Sequence, residues 1–149
     1  MQKPVILGFY GTSNTGKTTF IISLTTALRS KGYTVATIKK TDHPLTLDSP
    51  GKDTYRHGQA GALPVVLSSA DETTFIIHQP LTEQRIIDHI ISFSVVDVIL
   101  IEGCVDDTIK KVKMDEQSME RKNTIFYYQL DKENIKEYLF NELKRRKTL

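Results

Sequence analysis

The stretch Gly11-Thr12-Ser13-Asn14-Thr15-Gly16-Lys17-Thr18, set between an apolar run and a helical one, decides the fold of this chain. It matches the pattern G-x-x-x-x-G-K-[ST], in which each part has a mechanical task. Glycines at its two ends let the backbone take conformations closed to other residues, so that successive N–H groups turn inward onto phosphate oxygens. Lys17 brings a charge for the β- and γ-phosphates, and the Thr18 hydroxyl can ligate Mg²⁺. The helix that follows presents its positive end to the same anion. Gly11, Thr12, Ser13, Asn14, Thr15, Gly16, Lys17, Thr18 and Thr19 are therefore the expected binding set for a nucleoside polyphosphate.

The text around the loop agrees. Val5-Ile6-Leu7-Gly8-Phe9-Tyr10 is a short apolar run suited to a buried strand. Apolar residues from Phe20 to Leu28 recur at helical spacing, up to a stop signal at Gly32. Tyr33–Ile38 reads as a second strand, and the polar, Pro/Gly/Asp-rich residues 41–62 as a long loop with a helical turn. Further strands are expected at Leu63–Ser68, Thr74–His78, Val95–Ile101 and Thr124–Tyr128, with helices over Leu81–Phe93 and from Lys132 to about Arg146. Strands alternating with helices imply an α/β protein of the P-loop NTPase kind, with a mostly parallel sheet covered by helices on both faces.

The 149 residues suit one domain, 1–149, with 39% hydrophobic and 26% charged residues, as in an ordinary globular chain. No apolar run approaches membrane-spanning length, and Met1-Gln2-Lys3-Pro4 leads straight into the first strand without a leader, so no membrane association and a cytoplasmic location are expected. Cys104 is the single cysteine, which excludes an internal disulfide and a multi-cysteine zinc site. A net charge of +2 is too small to argue for nucleic acid. Eight of the 20 Lys/Arg but only three of the 18 Asp/Glu fall in residues 1–60, which puts the positive excess on the half that carries the phosphate loop.

The apolar run ending at Ile101 delivers Glu102 at a strand's carboxyl edge, where ligands bind in open α/β sheets. A carboxylate there can hold Mg²⁺ through water or orient an attacking water, which makes Lys17 and Glu102 the candidate catalytic pair. Asp48-Ser49-Pro50-Gly51-Lys52-Asp53-Thr54-Tyr55-Arg56 has two readings. It is a solvated loop with a Pro-Gly turn, or a loop in which Asp48 joins the metal side with Thr18 and Glu102 while Lys52 and Arg56 meet anions. Lys40-Thr41-Asp42 fits part of a guanine-recognition signature but falls too early in the chain, so the match is read as coincidence.

In the order of these motifs the chain resembles the molybdopterin-guanine dinucleotide biosynthesis protein B family, small P-loop proteins. The resemblance rests on G-T-S-N-T-G-K-T-T (Gly11 to Thr19), T-I-K-K-T-D-H (Thr37 to His43), D-S-P-G-K-D-T-Y-R-H-G-Q-A-G-A (Asp48 to Ala62) and D-V-I-L-I-E-G (Asp97 to Gly103). The third of these is the most specific. The chain departs from the family pattern in having only His43 after the second strand. It departs again after Glu102-Gly103, where an aromatic and a lysine, then Pro-Lys before a strand, are usual.

The resemblance implies a GTP- and Mg²⁺-binding, weakly hydrolysing adaptor that assists a molybdenum-cofactor guanylyltransferase. It also implies Lys52 and Arg56 as contacts to the phosphate of molybdopterin, and a homodimer. The rivals are an ATP-dependent small-molecule phosphotransferase, which would need an arginine-bearing lid, and a nucleotide-binding module that does not hydrolyse. Arg85 is the single arginine between Arg56 and Arg121.

Overall fold

The computed structural model describes residues 3–147; Met1 and Gln2, where the sequence was read for a leader, lie outside them. The chain forms two compact units, residues 3–41 with 83–147, and Asp42–Thr82.

The first unit is built on a five-stranded sheet. Strand β1 (Val5–Tyr10) leads through the phosphate loop into α1 (Lys17–Ser30) and then β2 (Val35–Lys39). After the second unit come α3 (Glu83–Phe93), β5 (Val98–Glu102), β6 (Lys111–Lys113), β7 (Thr124–Tyr127) and α4 (Tyr128–Lys147). The strand order is β2-β5-β1-β6-β7, and every pairing is parallel. Residues alternate between the two faces, as pleating requires. Val5, Leu7, Phe9, Val98 and Leu100 pack with Phe20, Ile21, Leu24 and Leu28 of α1 and with Ile135, Leu139 and Leu143 of α4. Ile99 and Ile101 face the other way, onto Ile87 of α3. Helices thus cover both faces, and each fully buried aliphatic side chain contributes about 1.5–3 kcal/mol.

Three features were not expected from the sequence. The first is β6, which lies inside the sheet between β1 and β7. Its text, Lys-Val-Lys, has one apolar residue, yet Lys111 is fully buried. The backbone carbonyls of Ile109 (2.8 Å), Lys122 (2.9 Å) and Asp106 receive its ammonium group, which makes that burial tolerable. Second, α4 is bent at Asp131, whose backbone is non-helical. The Asp131 carboxylate accepts the Tyr127 N–H at 3.0 Å, so the long regular part starts just after it, where the sequence places the helix.

The third concerns the second unit, which contains α2 (Asp53–Gln59), β3 (Val65–Ser68) and β4 (Thr73–Ile76). The strands read at Leu63–Ser68 and Thr74–His78 are not parallel members of the main sheet. They pair antiparallel as a separate hairpin, with Val66 opposite Phe75. The physical reason is the connection, a tight turn in which the Ser69 N–H donates to the Glu72 carbonyl at 2.9 Å. A parallel pair would need a crossover of a dozen residues or more.

Candidate functional site

The loop from Gly11 to Gly16 leaves the carboxyl end of β1 and turns into α1. Gly16 is the N-cap of α1 with φ 81°, a left-handed conformation that costs glycine nothing. α1 has no side-chain cap and no acidic residue in its first turn. Its opening N–H groups are thus left to an external anion. Asn14 also has a positive φ, 61°, at the crown of the loop. Asn14, Thr15, Gly16, Lys17, Thr18 and Thr19, with Glu102, line a cleft of about 170 Å³.

Inside the loop the Lys17 ammonium donates to the carbonyls of Gly11 (3.0 Å) and Thr12 (2.5 Å). Across the cleft the Thr18 hydroxyl lies 2.9 Å from both carboxylate oxygens of Glu102. The sheet register produces this meeting. Glu102 stands beside Phe9 on one side and Lys39 on the other, at the same carboxyl edge from which the loop springs. Lys39 approaches Glu102 Oε1 at 3.7 Å. The next residue, Gly103, has φ 82°, and a Cβ there would stand 2.5 Å from the Lys40 carbonyl oxygen. That close approach lets the chain turn away behind Glu102. Lys40 itself reaches Glu83 Oε2 at 3.5 Å, and Glu83 Oε1 accepts the Val105 N–H at 2.5 Å. These contacts tie the segment after Glu102 to the start of α3.

Lys17, Thr18 and Glu102, paired by the sequence reading, therefore belong to one cleft in the first unit. Asp48, Lys52 and Arg56 belong to the second unit. There Asp48 is buried. Its Oδ1 accepts the Thr54 hydroxyl at 2.9 Å and the Ser49 N–H at 3.1 Å, while its Oδ2 accepts no hydrogen bond and lies 3.5 Å from His78 Nε2. Arg56 and Asp53 form an exposed pair at 3.8 Å on α2. Lys52 is the residue before that helix.

Sequence reasoning missed Asp115. Its carboxylate accepts the Thr12 N–H at 2.5 Å and the Thr12 hydroxyl at 3.1 Å, together with the N–H and hydroxyl of Ser118. Partial burial pushes its carboxyl up, but the Ser118 and Thr12 donors pull it further down, to about 2. The signal lay only in the unrecognised strand β6, whose register brings Lys113 beside Tyr10. Cys104 is buried, and that burial, with Glu83 nearby, pushes its thiol up to about 12.

The donors around Glu102 suit a hard divalent ion. They are a hydroxyl and a carboxylate, both oxygen. Among the described residues no group of three or more His, Cys, Asp or Glu could hold a metal.

The parallel sheet, the loop at the end of β1 and the carboxylate at the end of the neighbouring strand define a protein of the P-loop NTPase fold. A sequence profile of one family, Molybdopterin guanine dinucleotide synthesis protein B (MobB), matches residues 6–135, and the chain belongs to that family. It is 34% identical over 110 residues to the Molybdopterin-guanine dinucleotide biosynthesis adapter protein of Escherichia coli (strain K12), covering 72% of this chain and 63% of the relative. The protein of the same name from Haemophilus influenzae is 28% identical over 117 residues, covering 76% and 65%. The matched region thus spans less than two thirds of the length of these relatives. Two solved structures of Bacillus subtilis MobB share the fold. One has TM-score 0.65 at 21% identity, covering 91% of this chain and 96% of that one; the other has TM-score 0.62 at 25% identity, covering 83% and 77%.

Proposed function

We propose that this chain is an adapter that binds Mg²⁺·GTP, hydrolyses it slowly, and assists a guanylyltransferase in forming the guanine dinucleotide form of the molybdenum cofactor. The carrying observation is the cleft in which Lys17, Thr18 and Glu102 converge, with the Thr18 hydroxyl 2.9 Å from both Glu102 oxygens. The backbone from Asn14 to Thr19 wraps the phosphates, and Lys17 exchanges its loop carbonyls for β- and γ-phosphate oxygens. Thr18 and Glu102 would hold Mg²⁺, which would supply positive charge against the phosphates. Glu102 also orients the attacking water. Asp48, read for a metal role, holds its Oδ2 3.5 Å from His78 Nε2 within the second unit, where that oxygen accepts no hydrogen bond. Molybdopterin and the guanine dinucleotide stand in the names of the family and its relatives; GTP over ATP and the guanylyltransferase are what the resemblance implies, and the cytoplasmic setting rests on the sequence reading.

Lys52 and Arg56 are the proposed contacts to the terminal phosphate of molybdopterin. The Arg56–Asp53 pair is exposed on both sides, and such pairs are worth about 0–1 kcal/mol, so it does not hold the guanidinium back from a phosphate. A homodimer is supported by the β3–β4 hairpin. It is a two-stranded sheet with Val66 and Phe75 48% and 56% exposed, a surface that stability favours covering.

The test is a reconstituted cofactor-assembly assay. Lys52→Ala with Arg56→Ala should spare GTP affinity and lower the stimulation of guanine-dinucleotide formation. Lost GTP affinity with an intact response at saturating GTP would instead make this segment a cover for the nucleotide.

A further inference from the structure

The Gly11–Thr12 peptide is gripped on both sides. Its carbonyl, that of Gly11, accepts the Lys17 ammonium at 3.0 Å, and the next carbonyl, that of Thr12, accepts the same ammonium at 2.5 Å and the Thr15 hydroxyl at 3.0 Å. Its N–H, that of Thr12, points the other way, into the Asp115 carboxylate at 2.5 Å, and the Thr12 hydroxyl follows at 3.1 Å. Asp115 is fixed in turn by the Ser118 N–H at 2.6 Å, and the Met114 N–H, one residue before it, donates to the Tyr10 carbonyl at 2.9 Å. Thr12 does not line the phosphate cleft, whose loop residues begin at Asn14. The carboxylate therefore holds the loop from outside the ligand's space.

This placement needs a reason. A carboxylate close to an anion site repels the anion, and here four donors keep Asp115 ionised. The benefit is order. A loop that must aim several N–H groups at one phosphate loses conformational freedom on binding unless it is already held in shape, and a held loop binds more tightly. Thr12 is the hinge between the rigid end of β1 and the crown at Asn14, so fixing its peptide fixes the direction in which the crown leaves the sheet.

We infer that Asp115 is a positioning residue for the nucleotide: it sets the affinity of the phosphate loop for triphosphate by holding the Thr12 peptide, without touching the ligand. The inference rests on the nucleotide-binding reading above and names a residue which that reading does not use.

Asp115→Asn is the test, because it keeps the shape and one oxygen but turns an NH₂ group toward donors. Mg²⁺·GTP affinity measured by calorimetry should fall about tenfold, the worth of one charge-assisted hydrogen bond. The Thr12 amide proton of the nucleotide-free protein should move upfield in the variant, because its hydrogen bond to a carboxylate is lost or becomes one to a neutral amide. A purely structural role would lower the melting temperature and leave the affinity of the folded fraction unchanged, and that result overturns the inference. Should Asp115→Asn not fold, Thr12→Val removes the hydroxyl bond alone and should weaken binding about threefold; unchanged affinity there also overturns it. Wild-type protein that bound no triphosphate would remove the underlying reading and this inference with it. Wild type that binds, beside an Asp115→Asn that binds equally, removes this inference alone.

Discussion

At the scale of single residues the site depends on two kinds of constraint, charge and close approach. Glu102 supplies the first. Glu102→Gln keeps the side-chain length and one oxygen for Thr18 but removes the charge, so phosphate release should slow while nucleotide stays bound. Equal turnover in the two proteins, followed by phosphate release, would show that Glu102 takes no part in hydrolysis. Gly103 supplies the second. With φ 82° and the Lys40 carbonyl oxygen 2.5 Å from where a Cβ would stand, Gly103→Ala should cost about 1–3 kcal/mol, read as a lower midpoint in urea. Asp115 adds a pH dependence whose sign is set by its depressed pKa. Its contribution to stability is fully present above the unfolded value of about 3.8 and is lost as pH falls through about 2. An acid titration of wild type against Asp115→Asn should therefore converge below pH 2 and diverge above pH 4.

Elements differ in how plainly they were written in the sequence. β1 and β5 were legible because both are buried on two faces and read as continuous apolar runs, Val5–Tyr10 and Val98–Ile101. From their adjacency the meeting of Thr18 with Glu102 followed. β6 was illegible because three residues carry no period, and because a buried lysine held by three carbonyls reads in one dimension as a solvated charge. With β6 went Asp115. In the stretch after Glu102 where the family text is lost, a strand begins at Lys111. The hairpin was read as strands but not as a hairpin, because apolar content marks a strand and only the short turn at Ser69–Glu72 reveals its partner. Cys104, two residues past the end of β5, gives a prediction at this scale. Its would-be neighbour at Gly8 leaves no room, with a Cβ there 2.5 Å from Cys104 Cβ, and burial pushes the thiol up to about 12. In the native protein at pH 8 it should resist iodoacetamide and react only after denaturation. Rapid labelling of folded protein would mean that the turn after Glu102 opens readily.

For the whole molecule the residues of the two proposed roles fall in different compact units of the chain. The first carries the phosphate cleft, and the second carries Lys52, Arg56 and the exposed hairpin. Among the described residues no helix is long and apolar enough to cross a membrane. If the hairpin joins two copies, replacing Phe75 with Lys should shift the protein toward monomer in analytical ultracentrifugation while GTP affinity is retained.

The central claim, that the loop from Gly11 to Thr18 with Glu102 is a triphosphate site, is tested most directly by calorimetric titration of Mg²⁺·GTP into wild type and Lys17→Ala. The account predicts saturable binding to wild type and a loss of about 2–3 kcal/mol in the folded variant, the scale of a charged hydrogen bond in a protected cleft. Equal affinity in the two proteins, or no binding to either, would contradict it.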